Sequence, residues 1–134
     1  QISMNDVATI LDTALNSDVV LYNGGAALNY DTAPGSGTTG TVTLSESAAN
    51  FSKLKIFYRT DDNACGSYEV PFPDGKRVGL SSTWSTGVSM WYKARAIDIS
   101  GTSITTIEYG NVNSDGSPFS HINVIYIFRV EGLR

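Results

Sequence analysis

The chain has 134 residues, hydrophobic residues make up 41% of it, and its formal net charge is −4 at pH 7. This length fits one domain with a core of its own, and the single cysteine, Cys65, excludes an intrachain disulfide and lacks the Cys and His partners of a structural zinc site. No basic run exceeds the pair Lys76 and Arg77, and no apolar run reaches the roughly 18 residues that span a bilayer, so we expect neither a nucleic-acid nor a membrane partner.

A short helix is predicted at the start of the sequence. Ser3 or Asn5 can cap it, and its apolar positions share one face: Val7, Ile10, Leu11 and Leu15. A helix of about three turns is marginal alone and needs a partner surface, either the domain itself or equivalent helices of neighbouring chains. We interpret residues 1–17 as a neck or linker and residues 18–134 as one head domain.

From Asp18 onward the hydrophobic period changes to two, which is typical of strands separated by turns of Gly, Asn, Asp and Ser. We predict a surface loop over 23–40 and strands near residues 18–22, 40–45, 53–60, 66–70, 76–80, 88–99, 103–110 and 122–130. This pattern predicts an all-β fold: an antiparallel, jelly-roll-like β-sandwich with a short N-terminal helix.

The third and the last of these strands differ in the faces that they present. In the third, Leu54, Ile56 and Tyr58 share the face predicted to be core, and the alternate face is mostly polar. In the last, both faces are substantially apolar, so this strand is expected to be central or covered by another subunit. We predict Ile125 and Ile127 as its interface residues.

A tight hairpin is predicted around Gly101. If Gly101 and Thr102 are its central pair, Gly101 takes the positive φ of a type II′ turn. Ile99 then faces Ile104, and Arg95 faces Glu108 as an exposed ion pair.

Two features could indicate a cofactor site or a catalytic site, but neither has the surrounding sequence that such a site needs. The run Gly35-Ser36-Gly37-Thr38-Thr39-Gly40 matches G-x-G-x-x-G, but a strand pattern follows it and no βαβ unit surrounds it. The one histidine, His121, could act as a general base, but the sequence contains no nucleophile elbow of the form G-x-S-x-G. We therefore predict no catalytic site, no cofactor and no metal.

Aromatic and polar residues of the predicted loops form the candidate binding site. Trp84, in the polar stretch 81–87, can stack on a sugar ring or fold back onto the domain. Turn chemistry accounts for Asp61, Asp62 and Asn63, which can also accept hydrogen bonds from sugar hydroxyls. A second group near the other long loop comprises Tyr109, Asp115 and His121. No carboxylate pair of the kind that a glycosidase holds in a cleft is recognisable.

Three segments carry a resemblance to a known family. The runs 40–45 (GTVTLS), 51–59 (FSKLKIFYR) and 121–132 (HINVIYIFRVEG) resemble C-terminal domains of tail proteins from phages and prophages of Gram-positive bacteria. The similarity covers most of residues 18–134. It implies a homotrimeric β head at the distal tail of a virion, which binds host cell-wall polysaccharide and contacts other tail or baseplate proteins. Its strand patterns bring no fixed set of binding residues.

The sequence leaves three functions open. The first is a saccharide-binding head without catalysis, and the composition, low in charge and rich in Ser, Thr, Asn and Tyr, suits contacts with glycan. The second is a structural trimerisation module of the tail without receptor contact. The third, ranked last, is a polysaccharide depolymerase.

Overall fold

The computed structural model describes residues 3–16, 18–28, 41–60, 63–85, 87–88, 90–108 and 125–134. One helix, α1 (Met4–Asn16), precedes eight strands. The strands are β1 (Val19–Leu28), β2 (Thr41–Thr43), β3 (Lys53–Thr60), β4 (Cys65–Pro71), β5 (Arg77–Ser85), β6 (Met90–Ser100), β7 (Ser103–Glu108) and β8 (Ile125–Leu133), with a 3₁₀ turn at Ala48–Asn50.

The strands form two four-stranded antiparallel sheets, ordered β1-β8-β3-β4 and β2-β7-β6-β5. This arrangement confirms the predicted all-β sandwich with a short N-terminal helix. The first strand pairs with the last and the second pairs with the seventh, whereas β3–β4 and β5–β6–β7 are hairpins within one sheet. The order 1-8-3-6 and 2-7-4-5 of an eight-stranded jelly roll is therefore met only for β1, β8 and β3 and for β2 and β7.

The core lies between the sheets and is built from alternate residues of each strand. In β3 every second residue is buried, from Leu54 to Thr60, and the residues between them are half-exposed, as the period of two predicted. The large aliphatic side chains that are fully buried come from both sheets: Val42, Leu54, Ile56, Leu80, Ile97, Ile99, Ile104, Ile125, Ile127 and Val130. Each such burial stabilises the fold by about 1.5–3 kcal/mol relative to an exposed side chain.

Helix α1 begins at a capping box. The Ser3 hydroxyl accepts from the Asp6 amide at 3.1 Å, and the Asp6 carboxylate accepts from the Ser3 amide at 3.3 Å. Two amides that have no partner within the helix are thereby satisfied, which confirms Ser3 as the N-cap. The apolar side chains Met4, Val7, Ile10 and Leu11 are exposed, so the sandwich does not cover them. Within the described residues, no helix is long and apolar enough to cross a membrane.

The hairpin between β6 and β7 has the predicted turn but only part of the predicted register. Ile99 pairs with Ile104, and Gly101 has φ 56, as a type II′ turn requires. The predicted pairing of Arg95 with Glu108 is wrong, because a register shift between Ala96 and Ile97 brings Ala96 opposite Glu108. An extra residue of this kind re-aims the side chains beyond it.

Arg95 is a core residue instead of a surface ion-pair partner, because it continues the buried alternation of Ile97 and Ile99 in β6. Its side chain is 1% exposed, and Nη1 donates to the carbonyl of Ala94 at 3.0 Å. Burial lowers the pKa of the Arg95 guanidinium below its ordinary value, since desolvation penalises the charged form.

The last strand is central, as predicted, but its two apolar faces are used differently from the prediction. Ile125 and Ile127 are fully buried inside the chain's own sandwich, so their assignment to a subunit interface is wrong. Between β1 and β3, β8 presents these residues to the core and Tyr126 and Phe128 to the outside.

Two predicted strands, 18–22 and 76–80, ended at least five residues too early. The segment 23–28, predicted as loop, continues β1 and pairs with β8 through two register shifts. Its Gly-Gly-Ala-Ala composition has low β propensity, which pairing with a central strand overrides. β5 extends to Ser85, so Trp84 lies in a strand.

Candidate functional site

The strand directions define two ends of the first sheet. Val19 pairs with Gly132 next to the entry of α1, and we call this the helix end. At the opposite end, the loop end, Ile125 pairs with both Leu28 and Thr60. β3 therefore runs from the helix end to the loop end.

Hydrogen bonds between the sheets align the second sheet with the first. At the helix end, Ala48 donates to the Gly101 carbonyl at 2.8 Å, and the Asp74 carboxylate accepts from the Gly101 amide at 2.8 Å. Nearer the loop end, the Tyr58 hydroxyl donates to the Ser81 carbonyl at 2.6 Å. Because β5 begins near the hairpin at Gly101 and passes Tyr58, its last residues lie at the loop end.

The β3–β4 turn at the loop end contains one described candidate residue, Asn63. It is exposed and has φ 67, a left-handed conformation that Asn adopts more readily than most residues. Its amide donates to the Thr60 carbonyl at 3.0 Å, and the Thr60 amide donates to the Ala64 carbonyl at 2.9 Å. The Thr60 hydroxyl accepts from the Ala64 amide at 3.1 Å. These bonds fix Asn63 and Ala64 against the end of β3.

Trp84 was predicted in a loop, and the structure corrects this: its backbone belongs to β5 and pairs with Trp91 of β6. Trp84 is three residues beyond Ser81, about 10 Å along the strand, and Thr60 is two residues beyond Tyr58, about 7 Å. Position 84 and the β3–β4 turn therefore lie at comparable heights at the loop end, as the grouping of Trp84 with Asn63 requires.

The remaining candidate residues, Asp61, Asp62, Tyr109, Asp115 and His121, lie outside the described residues, as does the glycine run 35–40. The strand ends that flank these segments are described. Thr60 and Ile125 are paired at the loop end, and β7 ends at Glu108 after running away from the Gly101 hairpin.

Among the described carboxylates, the two with shifted pKa values belong to ion pairs near the helix end. Hydrogen bonds from Arg77 lower the pKa of Asp98, and hydrogen bonds from Arg134 and then Asn50 lower the pKa of Glu46. Both carboxylates stay ionised at neutral pH, so neither is suited to act as a general acid there. Among the described residues, no three His, Cys, Asp or Glu side chains form a potential metal site.

Two sets of exposed or half-exposed aromatic residues were not predicted from the sequence as candidate binding residues. Phe72 is 73% exposed with φ 46 at the helix end, between Pro71 and Pro73. It borders a shallow depression of about 240 Å³ that also touches Phe51 and Asp74. The other set lies on the outer surface of the first sheet, where Phe57 and Phe128 are in contact. The alternation of β3 and β8 could have indicated the second set, but the bulge that brings the two rings together leaves no signal in the sequence.

Comparison of the sequence with models of known protein families found no match, and neither did a search of curated proteins.

Proposed function

We propose that the chain is the non-catalytic receptor-binding head of a bacteriophage or prophage tail protein from a Gram-positive host. In this role it forms a homotrimer at the distal tail of the virion, attached to other tail or baseplate proteins. Its loop end binds host cell-wall polysaccharide during adsorption.

The opposite placement of α1 and the candidate residues is the observation that carries this proposal. Asn63 and position 84 are at the loop end, whereas α1 joins the sandwich at Val19, next to Gly132. A head held through its helix would therefore turn its loop end, with Asn63 and position 84, toward the host. Saccharides bind where an aromatic face and hydrogen-bond acceptors lie close together.

Replacement of Trp84 by Ala tests the site. We expect binding to purified host wall polysaccharide to weaken by about 1–3 kcal/mol, as for well-packed aromatic contacts, with a melting temperature within a few degrees of wild type. Phe72→Ala is the matched control, because it removes an exposed aromatic side chain at the helix end and should leave binding unchanged. A large loss of stability in Trp84→Ala would instead identify Trp84 as a packing residue.

A structural trimerisation module is the second candidate, favoured by the exposed apolar side chains of α1. An array of host wall glycans separates it from the first. Wild-type protein that binds no wall polysaccharide at millimolar sugar would support the module and refute the receptor-binding head. A depolymerase is the third candidate and ranks last, and release of reducing ends from host wall polysaccharide would reverse that ranking.

A further inference from the structure

The outer surface of the first sheet combines aromatic rings with cations. We call it the outer face and define it by six half-exposed residues of β3 and β8: Lys55, Phe57, Arg59, Tyr126, Phe128 and Arg129. In β3 the three residues alternate with the core residues Leu54, Ile56, Tyr58 and Thr60. The outer face is therefore fixed by the same alternation that builds the core.

A β-bulge adds an aromatic ring to the middle of this face. Phe57 pairs with Arg129 and Tyr58 pairs with Ile127, so Phe128 is an extra residue on β8. The Phe57 and Phe128 rings lie 6.1 Å apart between centroids at an interplanar angle of 41°. A bulge turns consecutive side chains to one side of a sheet, and here it sets Phe128 and Arg129 side by side on the outer face.

The cations lie against these rings. The Arg59 guanidinium is 4.4 Å from the centroid of the Tyr126 ring, and Lys55 Nζ is 5.2 Å from that of Phe57. Such contacts hold a cation in place without neutralising it. Rings and charges are thus arranged in advance on a rigid sheet.

Of the three cations, Arg129 alone forms an ion pair with another described residue. Arg129 Nε is 2.8 Å from the Glu131 carboxylate, whereas Lys55 and Arg59 have no carboxylate within ion-pair distance among the described residues. Within the part of the chain that the structure describes, Arg59 Nη1 donates to the Thr60 carbonyl at 3.3 Å. Glu69 and Glu131 lie opposite Lys55 on the neighbouring strands, but they form their ion pairs with Lys53 and Arg129. Lys55 and Arg59 therefore add two positive charges to this face beyond its ion pairs, on a chain whose net charge is −4.

The geometry favours an acidic polymer as the ligand. Lys55 and Arg59 are four residues apart on one strand, a separation of about 13 Å, so a polymer with charges along its length can engage both. Aromatic rings accept the apolar faces of sugar rings, and Arg matches the geometry of carboxylate and phosphate groups. Elsewhere the negative net charge repels a polyanion, which restricts its binding to this face.

We propose that the outer face binds an acidic polysaccharide, which carries carboxylate or phosphate groups, across β3 and β8. This inference rests on the proposed function, since it names the class of polysaccharide and adds a second binding surface to the loop end. Tyr126, Phe57 and Phe128 contact sugar rings, and Lys55 and Arg59 bind the anionic groups.

Defined polymers test this with the full 134-residue chain. Polygalacturonate supplies carboxylates and phosphomannan supplies phosphates, and their neutral counterparts are methyl-esterified polygalacturonate and unphosphorylated mannan. We expect at least one acidic polymer to bind about tenfold more tightly than its neutral counterpart. The preferred polymer identifies the anionic group. The preference should shrink as salt rises from about 0.1 to about 1 M, because the Debye length falls from about 10 to about 3 Å.

Two variants of equal charge change locate the site. Lys55→Gln/Arg59→Gln should weaken acidic-polymer binding about tenfold, since two charged contacts are lost. Lys76→Gln/Arg77→Gln, which removes two positive charges from exposed positions away from the outer face, should change it far less. Tyr126→Ala should weaken binding of the acidic and the neutral polymer by similar factors.

Three results would overturn the inference. The first is a failure to prefer acidic polymers, seen either as equal binding of acidic and neutral polymers or as no binding of either acidic polymer. The second is unchanged affinity in Lys55→Gln/Arg59→Gln. The third is a fall in oligomer mass in that variant, which would make the outer face a subunit interface. Each leaves the proposed function to be decided by the host glycan array and Trp84→Ala.

Discussion

At the helix end, Gly132 has no room for a side chain because Phe51 packs against its backbone. Phe51 is 4% exposed, and a Cβ at Gly132 would lie 2.6 Å from its Cδ1 atom. The Arg134 guanidinium lies 4.8 Å from the centroid of the same ring. The ring is thus held between the backbone of β8 and a cation, and it has little room to move.

Gly132→Ala should therefore destabilise the protein. We expect the free energy of unfolding to fall by about 1–3 kcal/mol, the usual effect of overpacking a core, as measured by urea denaturation. Gly79→Ala is the control, because a Cβ there meets nothing within 4 Å and the change should stay within about 0.5 kcal/mol. Equal effects of the two substitutions would mean that Phe51 moves aside without cost.

At the scale of elements, an ion pair joins the segment before the 3₁₀ turn to the residue after β8. The Glu46 carboxylate accepts two hydrogen bonds from Arg134, each 2.8 Å long, and a third from Asn50 at 3.0 Å. These bonds favour the ionised carboxylate, so the pKa of Glu46 is lower in the folded state than its usual value.

The lowered pKa makes this contact sensitive to acid. A group whose folded pKa is depressed stabilises the fold above its unfolded pKa, and that stabilisation is lost as pH falls through the folded pKa. Wild type should therefore be more stable than Glu46→Gln at pH 7, and the difference should shrink below about pH 4.3, the usual pKa of Glu. Thermal unfolding across this range measures it, and a difference that does not depend on pH would contradict the role of the charge.

The sequence predicted elements better than it predicted the partners of their residues. The period of two located β3, β6 and β7 because each keeps one face in the core. It could not predict bulges, because an inserted residue leaves the alternation on either side intact. The pairing of Arg95 with Glu108 was consequently wrong, and the contact of Phe57 with Phe128 was missed.

The candidate site was predictable only in part, for a related reason. Turn composition predicted correctly that Asn63 lies in a turn, since Asn adopts the left-handed backbone conformation found there more readily than most residues. Trp84 was assigned to a loop because the Ser and Thr residues around it have a polar, loop-like composition. Pairing with β6 overrides that composition, and strand pairing is a long-range contact that a local pattern does not record.

For the whole molecule, α1 is the element most suited to hold copies of the chain together. Met4, Val7, Leu11 and Ala14 follow a heptad as a and d positions, and Ala8, Ile10 and Leu15 occupy e and g. The b, c and f positions are all polar: Asn5, Asp6, Thr9, Asp12, Thr13 and Asn16. An apolar face that includes e and g is wider than the two-stranded seam of a and d alone, so it suits bundles of more than two helices.

Leu11→Asp should therefore dissociate the proposed trimer. Light scattering should give three chains of 14.3 kDa for wild type and one for the variant, with the melting temperature of the sandwich changed by no more than a few degrees. Thr9→Asp adds the same charge on the polar face and should leave the trimer intact. A trimer that survives Leu11→Asp would mean that another surface holds the subunits, and a monomeric wild type would contradict the trimer itself.

The pairing of β1 with β8 also determines how the sandwich responds to mechanical force. In the proposed head, tension enters through α1 at Val19 and leaves at the loop end, along the axis of β1. The hydrogen bonds between β1 and β8, from the pair Val19 and Gly132 to the pair Leu28 and Ile125, are perpendicular to that axis. The ladder is therefore loaded in shear, and its bonds resist the pull together instead of opening one after another. If the proposed role holds, the drag on a virion tethered to a cell wall in flow would load this ladder in shear.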